Sequence, residues 1–276
     1  MLHPQLPQDC GRTRFNKARH RIISGEDAQL GQFPFIVRIG TRYLIKSKLF
    51  HKFSCGGSLI SKFYIVTAAH CDGGVDLVRI GENDVSTDKD CDGFGNCAPP
   101  VQDIPIKRFI FENFIEDTLT NDYALIELKT PVKFNEYVQP VCLPPANIDH
   151  ASSRGKMVFL AGFGRIRMQP AKYANKLQYI RAPIVNNRIC SRIYHKYTKR
   201  LTNKQWCIGY SKGKDTCAGD SGGPATMSMN LDGERREYLI GVISYGLPSC
   251  GTSPAVYTDV SRYVNWTIRT LDFLGN

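Results

Sequence analysis

The sequence lacks any long apolar run. No stretch of its 276 residues is apolar over the length that a membrane-spanning helix needs. The first residues, MLHPQLPQDCG, also lack the apolar core of a secretory signal peptide. The sequence therefore predicts no transmembrane segment.

The sequence also has no Cys-x-x-Cys pair and no Cys/His cluster with zinc-finger spacing, which argues against a structural zinc site. It nevertheless holds 10 cysteines, an even count that is high for a reduced intracellular enzyme. We therefore expect about five disulfides and a secreted, extracellular protein, with its signal upstream of residue 1.

Acidic residues are scarce relative to basic ones. The chain has 25 Asp and Glu against 36 Lys and Arg, a formal net charge of +11. A basic surface attracts anionic partners, so an anionic glycan or another anionic surface is a predicted partner, and nucleic acid is not. The simpler alternative, that these charges only solvate the surface, stays open.

The remaining pattern is typical of an all-β protein. Short runs rich in Val, Ile, Phe and Tyr alternate with Gly, Pro, Asn and Asp. They divide at the Pro-rich residues 138–145, which predicts two β subdomains. Only the last segment has helical spacing, with Val264, Ile268 and Leu271 on one face and Ser261 as a cap.

The strongest chemical signal is the run DTCAGDSGGP at residues 215–224. A serine hydroxyl is a weak nucleophile unless a base removes its proton, and its attack needs donors for the resulting oxyanion. Glycines around Ser221 leave backbone N–H groups unobstructed. A single Gly-Ser-Gly is usually a turn, whereas the whole run is far more specific.

Two further motifs supply the partners that such a serine needs. His70 ends an apolar run and precedes Cys71, which would fix its backbone. Asp122 leads the apolar run DYALIEL. A lone histidine or a strand-edge aspartate is usually structural, but a buried carboxylate beside His70 would fix the tautomer of its imidazole.

In this order, His70, Asp122 and Ser221 resemble the triad of chymotrypsin/trypsin-family serine proteases. The resemblance runs from Ile22 to the C-terminal helix. It implies two six-stranded antiparallel β-barrels with a C-terminal α-helix. It also implies that Ser221 is the nucleophile, His70 the general base and Asp122 the orienting carboxylate, with the N–H groups of Gly219 and Ser221 as the oxyanion hole.

The segment HRIISG at residues 20–25 resembles the family's activation site. Cleavage after Arg21 would free the amine of Ile22, which the resemblance pairs with Asp220. Residues 1–21 would then be the end of a pro-region, and residues 22–276 the protease domain. The plain alternative is that the Arg-Ile junction is an ordinary basic linker.

The resemblance also implies how the cysteines pair. It pairs Cys10–Cys142, Cys55–Cys71, Cys91–Cys97, Cys190–Cys207 and Cys217–Cys250. The first pair would tether the pro-region after cleavage. The third closes a small loop followed by APPVQDI, which resembles the arthropod clip-domain proteases that act in immune and developmental cascades.

By the same resemblance, Asp215 lies at the floor of the primary substrate pocket. A carboxylate there selects Arg or Lys, because a neutral side chain leaves it unpaired. The other predicted pocket residues are Thr216, Ser244, Tyr245, Gly246 and Ala255. The family usually has glycine where Ala255 stands, so the preference between Arg and Lys stays open.

No cofactor is expected for hydrolysis itself. Glu82 begins a loop where many relatives bind calcium, and nearby aspartates could add ligands. A structural calcium ion and a solvated acidic loop are equally acceptable interpretations.

The predicted protein is thus a zymogen cleaved by an upstream trypsin-like protease, with a downstream zymogen as substrate and a serpin-type inhibitor as a further partner. The alternative is a catalytically silent homologue that acts by binding. A digestive enzyme is disfavoured by the tethered pro-region.

Overall fold

The structure is a computed structural model that describes residues 3–14, 26–167, 172–197, 201–209, 220–231, 233–247 and 252–275. Within these residues β-strands dominate. The strands are β1 (Glu26–Asp27), β2 (Ile36–Ile45), β3 (Lys48–Leu59), β4 (Tyr64–Thr67), β5 (Leu77–Ile80), β6 (Gln102–Phe111), β7 (Ala124–Leu128), β8 (Met157–Gly162), β9 (Arg165–Arg167), β10 (Lys172–Tyr173), β11 (Gln178–Val185), β12 (Gln205–Ile208), β13 (Pro224–Leu231), β14 (Glu234–Tyr245) and β15 (Ala255–Asp259). The helices are α1 (His150–Ser153), α2 (Asn187–Tyr194) and α3 (Val264–Gly275).

The first barrel closes in the strand order β2-β3-β4-β7-β6-β5, with all pairs antiparallel. Its interior is filled by fully buried apolar side chains, among them Phe35, Ile39, Leu59 and Leu125. Alternate residues of each strand point inward, which is why the short Val/Ile/Leu-rich runs of the sequence form this barrel.

The second barrel has the order β11-β12-β15-β14-β13-β8, and β8 also pairs with β11, which closes it. The short strand β1 adds to the outside of β11. Trp206 is fully buried in its core and donates its indole N–H to the carbonyl of Ile240 at 3.1 Å. The predicted two-barrel architecture is therefore confirmed.

The connection between the barrels spans residues 129–156 and contains the Pro-rich division predicted at residues 138–145. The helix α3 is also present as predicted, although its buried residues are Val264, Thr267 and Leu271, with Ile268 only half-buried. The sequence analysis missed α1 and α2, because helices of four and eight residues are too short to show a clear period.

Ser261 does not begin α3 as a cap. It lies in a single 3₁₀ turn, Val260–Arg262, that precedes the helix, and Asp259 caps this turn by accepting from the backbone N–H of Ser261 at 3.0 Å. The Ser261 hydroxyl donates to the same carboxylate at 2.7 Å. The capping prediction was therefore wrong by two residues.

The N-terminal segment, residues 3–14, lies against the second barrel. Leu6 is buried, the N–H of Gly11 donates to Pro140 at 2.7 Å, and the N–H of Glu237 donates back to Gly11 at 2.9 Å. The segment is thus held by main-chain hydrogen bonds as well as by its disulfide. None of the described helices is long and apolar enough to cross a membrane.

Candidate active site

Two neighbouring strands bring His70 and Asp122 together. β4 ends at Thr67 and β7 begins at Ala124, and these two residues are directly paired. Residues that follow β4 and residues that precede β7 therefore emerge at the same barrel edge. His70 lies in a 3₁₀ turn (Ala69–Cys71) just after β4, and Asp122 lies two residues before β7.

The two side chains form a close pair. Nδ1 of His70 lies 2.8 Å from Oδ2 of Asp122, and the backbone N–H of His70 donates to Oδ1 at 3.0 Å. An ionised carboxylate can only accept, so Nδ1 is the donor and Nε2 is left to accept a proton. The Asp122 side chain is fully buried, whereas 22% of the His70 side chain is exposed. This pair can serve as an oriented base.

The second barrel completes the surroundings of Asp122. The hydroxyl of Ser244, at the end of β14, donates to Oδ2 of Asp122 at 2.5 Å. The hydroxyl of Thr258, on β15, donates to the Asp122 carbonyl at 2.6 Å. A buried carboxylate is costly unless it accepts hydrogen bonds. Ser244 supplies one such bond, and Thr258 holds the Asp122 backbone at the junction of the barrels.

Ser221 precedes β13 and is held next to the His70 turn. Its carbonyl accepts from the N–H of Gly56 at 2.7 Å. The sulfur of Cys71, the neighbour of His70, lies 3.7 Å from that same carbonyl oxygen and is bonded to Cys55. One disulfide thus ties the strand that supports Ser221 to the turn that carries His70.

Position 222 requires glycine, because the backbone has a positive φ there and a side chain has no space. Its φ is +77°, and a Cβ there would lie 2.2 Å from the Thr67 hydroxyl and 2.6 Å from the Gly56 carbonyl. Its N–H donates to Ile243 at 2.8 Å, so it holds the loop in place. The sequence analysis expected the glycines around Ser221 to leave N–H groups unobstructed; for Gly222 the structure adds a requirement for space beside Thr67 and Gly56.

The residue before Ser221 is anchored by the loop after β8. Oδ1 of Asp220 accepts the backbone N–H of Gly164 at 2.8 Å. Cβ atoms on Gly162 or Gly164 would lie within 2.3 Å of the Asp220 carboxylate oxygens. The carboxylate therefore lies in a cradle that only glycine leaves open, and its direction fixes the backbone entering Ser221.

Comparison with known proteins decides the family. The sequence profile described as Trypsin matches residues 22–267. The chain belongs to the trypsin family. Family membership, together with the protease relatives below, makes this protein a serine endopeptidase.

The most similar relatives include arthropod clip-domain proteases. The chain is 37% identical to phenoloxidase-activating factor 3 of Holotrichia diomphalia, over 89% of this chain and 71% of the relative. It is also 37% identical to a CLIP domain-containing serine protease of Bombyx mori, over 91% and 70%. A crystal structure of the Drosophila Grass clip serine protease of the Toll pathway matches with a TM-score of 0.79 and 30% identity, covering 96% of this chain and 75% of that one.

The structure of this trypsin-family protein includes part of the predicted substrate pocket. Ser244 and Tyr245 end β14, and a Cβ on Gly246 would lie 3.5 Å from the Cβ of Ala255. The Ala255 methyl group is buried beside Gly246. Tyr245 packs edge-on against Tyr194 at 5.2 Å, and burial raises its pKa. The Tyr245 ring therefore packs in the protein core, next to the predicted substrate pocket.

Other predicted site residues lie outside the described residues. They are Arg21, Ile22, Asp215, Thr216 and Gly219, together with the pair Cys217–Cys250. The pocket floor, one oxyanion donor and the activation junction therefore stay predictions.

The four remaining predicted disulfides are present in the structure. They are Cys10–Cys142, Cys55–Cys71, Cys91–Cys97 and Cys190–Cys207. Cys55, His70 and Cys71 form the one cluster of metal-ligand types among the described residues. Because its two sulfurs are joined in a disulfide, they offer no thiolate to a metal ion.

The carboxylates of the acidic loop that begins at Glu82 contact protein groups in the structure. The Glu82 carboxylate faces two guanidinium groups, at 3.4 Å from Arg79 and 3.9 Å from Arg38, and burial raises its pKa. Oδ2 of Asp90 accepts the N–H of Asn83 at 2.7 Å, and its Oδ1 accepts from the Thr87 hydroxyl at 2.6 Å. A calcium ion would have to compete with these partners, and calcium binding stays a prediction.

The same arginine reaches the loop that anchors Asp220. The Arg38 guanidinium carbon lies 4.3 Å from the ring centre of Phe53 and 4.9 Å from that of Phe163. Burial lowers the Arg38 pKa to about 10. Arg38 and Asp220 also line one cavity of about 320 Å³. Phe163 directly precedes Gly164, so Arg38 packs on the segment that holds the Asp220 carboxylate.

Sequence reasoning missed the contact between Ser244 and Asp122. It placed Ser244 on the pocket wall by the family resemblance alone. The two residues are 122 positions apart in the chain. No local pattern reports such a contact, and only the packing of one barrel on the other creates it.

Proposed function

We propose that the protein is the zymogen of a secreted endopeptidase that, once cleaved after Arg21, hydrolyses peptide bonds after Arg or Lys within a proteolytic cascade. The observation that carries the proposal is the contact of His70 with the buried Asp122, 2.8 Å apart, beside the loop that bears Ser221. Family membership supplies the reaction class.

Acylation is carried out jointly by Ser221, His70 and Asp122. Nε2 of His70 removes the hydroxyl proton as Oγ of Ser221 forms a bond to the substrate carbonyl carbon. Asp122 stabilises the resulting imidazolium through Nδ1. The N–H groups of Gly219 and Ser221 receive the charge on the carbonyl oxygen. The imidazolium then gives its proton to the leaving amine, and the C–N bond breaks.

Deacylation repeats the sequence with water. His70 removes a proton from water, the hydroxide oxygen bonds to the acyl carbon, and the ester bond to Ser221 breaks as its oxygen regains a proton. The new carboxylic acid then leaves. No metal or other cofactor takes part in either half.

Activation acts through Asp220. Cleavage after Arg21 frees the Ile22 amine, which pairs with the Asp220 carboxylate beside Gly164. A buried ion pair that loses one partner is destabilised by about 3–5 kcal/mol, so the new amine can fix the loop that carries Gly219 and Ser221. Arg21 itself indicates that an upstream trypsin-like protease makes the cut.

Specificity rests on Asp215, with Ala255 as the modifier. A carboxylate at the pocket floor favours Arg and Lys over neutral side chains. The buried methyl group of Ala255 beside Gly246 narrows one wall. A group of this size changes transition-state binding by about 1–3 kcal/mol in a tight site.

A cascade role is supported by the relatives and by the tether. A phenoloxidase-activating factor and the Grass clip protease of the Toll pathway are named for roles of this kind. The Cys10–Cys142 disulfide keeps residues 3–14 attached after cleavage. The proposed partners are an upstream activating protease, a downstream zymogen, a serpin-type inhibitor and an anionic glycan or surface.

The alternative is a silent homologue that acts by binding. Among the described residues, the intact pair of His70 and Asp122 and the presence of Ser221 favour the active enzyme. Ala255 is the residue that most favours the alternative, because it narrows the pocket.

The test is cleavage of the purified chain after Arg21, followed by assay on peptides with Arg, Lys, Phe, Leu or Ala before the scissile bond. We expect hydrolysis after Arg or Lys, none by the Ser221→Ala variant, and a tail released only on reduction in gel electrophoresis. An inert cleaved protein would support the silent homologue. Hydrolysis after Phe or Leu would refute the Asp215 assignment.

A further inference from the structure

The strands β2 and β3 continue beyond the first barrel as a two-stranded ribbon, defined here as residues 41–52. β2 pairs with β5 only over Val37–Gly40, and β3 pairs with β4 only over Ser58–Leu59. Beyond those points, in the part of the chain that the structure describes, each strand pairs only with the other, through the register Tyr43↔Phe50 and Leu44↔Leu49. The ribbon projects about 17–20 Å from the barrel.

The ribbon ends in a tight turn. Lys46 and Ser47, its two central residues, have φ of 47° and 65°. Two consecutive residues with positive φ are typical of a type I′ turn, which matches the natural twist of a hairpin. The ribbon is thus an ordered hairpin, and at its base the N–H of Arg42 donates to Asp76 at 2.9 Å.

Apolar side chains cover both faces of this ribbon. Leu44 and Leu49 lie opposite each other on one face and are 71% and 52% exposed. On the other face Ile45 is 50% exposed, and Tyr43 stacks on Phe50 at 5.8 Å. Exposed large apolar groups concentrated in one projection indicate a binding surface.

The charges on the ribbon are all positive. It carries Arg42, Lys46, Lys48 and Lys52, and the sequence has no Asp or Glu between Asp27 and Asp72. Arg42 pairs with Asp76 at the base, at 3.1 Å. Among the described residues no carboxylate lies within ion-pair distance of the three lysines.

We propose that this ribbon binds the surface of an anionic lipid bilayer. A groove on a protein partner would cover one face and leave the other in water. The bilayer interface surrounds both faces, so it accepts Leu44 and Leu49 together with Ile45 and Tyr43. Interfacial segments insert by about 5–10 Å, a depth that covers the two or three residues on each side of the turn.

The lysines of the ribbon also favour an anionic bilayer. Lys46 and Lys48 flank the tip, where their long stems reach back so that the ammonium groups stay among the lipid phosphates. Each such lysine adds binding free energy through the negative potential of the surface. An anionic glycan would need the charges and not the exposed leucines, which separates the two kinds of partner.

The test is sedimentation of the full chain with vesicles of phosphatidylcholine, alone or with about 30% phosphatidylglycerol. We expect binding to the anionic vesicles only, weakened by added salt. Leu44→Ser with Leu49→Ser should lower the partition coefficient at least about tenfold. Ile189→Ser on α2, which removes a comparably exposed apolar group (41%), should leave it unchanged.

Charge is tested by a second matched pair of variants. Lys46→Gln with Lys48→Gln should weaken binding roughly 10- to 30-fold. Arg188→Gln with Arg192→Gln on α2 removes the same charge from another site and should weaken it less than about threefold. Unchanged melting temperatures and unchanged hydrolysis of a short arginyl peptide after activation would show that the variants fold.

Three outcomes would overturn the proposal. In the first, the wild-type chain does not bind the anionic vesicles. In the second, the serine variants bind as well as wild type, or the α2 variants lose as much as the ribbon variants, which would indicate general attraction by the +11 charge. In the third, the ribbon variants slow cleavage of a protein substrate and leave vesicle binding intact, so that the ribbon docks a protein. Loss of catalysis alone would refute the proposed function and leave lipid binding testable.

Discussion

The hydroxyl of Ser244 donates to Oδ2 of Asp122 at 2.5 Å, so the same oxygen that orients His70 is also held from the second barrel. Asp122 is fully buried and comes from the first barrel. This hydrogen bond therefore makes the alignment of the imidazole depend on how the two barrels pack.

Replacing Ser244 with alanine should impair catalysis more than folding. A hydrogen bond to a charged group contributes about 1.5–3 kcal/mol, so we expect kcat/KM on an arginyl peptide to fall about 10- to 100-fold. Ser58→Ala removes another fully buried hydroxyl, one with no hydrogen-bond partner among the described residues, and should leave kcat/KM unchanged. Equal effects of the two variants would contradict a role through Asp122.

Gly222→Ala should abolish activity and destabilise the fold. A Cβ there meets the Thr67 hydroxyl at 2.2 Å and the Gly56 carbonyl at 2.6 Å, at a φ of +77°. Gly233 has nearly the same φ, +80°, and a Cβ there would have nothing within 4 Å. Gly233→Ala therefore measures the cost of the positive φ alone. We expect Gly233→Ala to cost about 1–2 kcal/mol and Gly222→Ala to cost more, because the Cβ must displace backbone.

Urea unfolding and peptide hydrolysis measure this pair of variants. A Gly222→Ala protein as stable and active as Gly233→Ala would show that the loop bearing Ser221 tolerates a side chain, against the packing described.

Arg38→Met should lower the kcat of the activated enzyme, because Arg38 packs on Phe163 next to Gly164. The variant keeps an apolar stem and loses the cation that packs on Phe53 and Phe163. Because Gly164 holds Asp220, we expect kcat to fall about three- to tenfold. The alkaline limb of the pH profile should move to lower pH, because the proposed pair between Asp220 and the Ile22 amine would weaken.

Arg79→Met is the control for that experiment. Arg79 also lies over Phe53, at 5.2 Å, but is bonded to Asp103 at 2.7 Å. Its replacement should leave the alkaline limb in place. The same pH profile in both variants would mean that Arg38 supports only the barrel.

Glu237 should make stability fall as pH rises. Burial raises its pKa, and Oε2 has no hydrogen-bond partner among the described residues. The folded chain therefore holds this proton more tightly than the unfolded chain, and the stability gained at low pH is lost as pH rises from the ordinary glutamate range through the raised pKa. Ser228, Thr226 and Arg235 are its polar neighbours.

Glu237→Gln keeps a neutral polar side chain and should raise the melting temperature at pH 7 by a few degrees. The gain should shrink toward pH 4. Glu234→Gln, on the exposed start of β14, should show no such gain. A gain in Glu237→Gln that is independent of pH would exclude titration of Glu237 as its cause.

Local pattern predicted what depends on local chemistry. The alternation of apolar residues predicted the strands of both barrels. The motifs singled out His70 and Asp122, which the structure brings together at 2.8 Å, while the catalytic roles of these two residues and of Ser221 stay predictions. The resemblance supplied the four disulfides now seen, which spacing alone does not determine.

Long-range packing was not predictable in the same way. The bond from Ser244 to Asp122 and the stacking of Arg38 on Phe163 join residues far apart in the chain. The space that Gly222 must leave for Thr67 was not predictable either, because the sequence does not show that the two residues are in contact. The short helices α1 and α2 were not predicted, because neither is long enough to show a helical period in the sequence.

The most direct test of the central claim is covalent labelling of the activated chain with a fluorophosphonate, a reagent that reacts only with serines activated by a base. We predict stoichiometric modification of Ser221, lost in Ser221→Ala and much slowed in His70→Ala, with the uncleaved chain reacting far more slowly. Failure of the cleaved protein to react, or labelling that persists in Ser221→Ala, would contradict the assignment of Ser221 as the nucleophile.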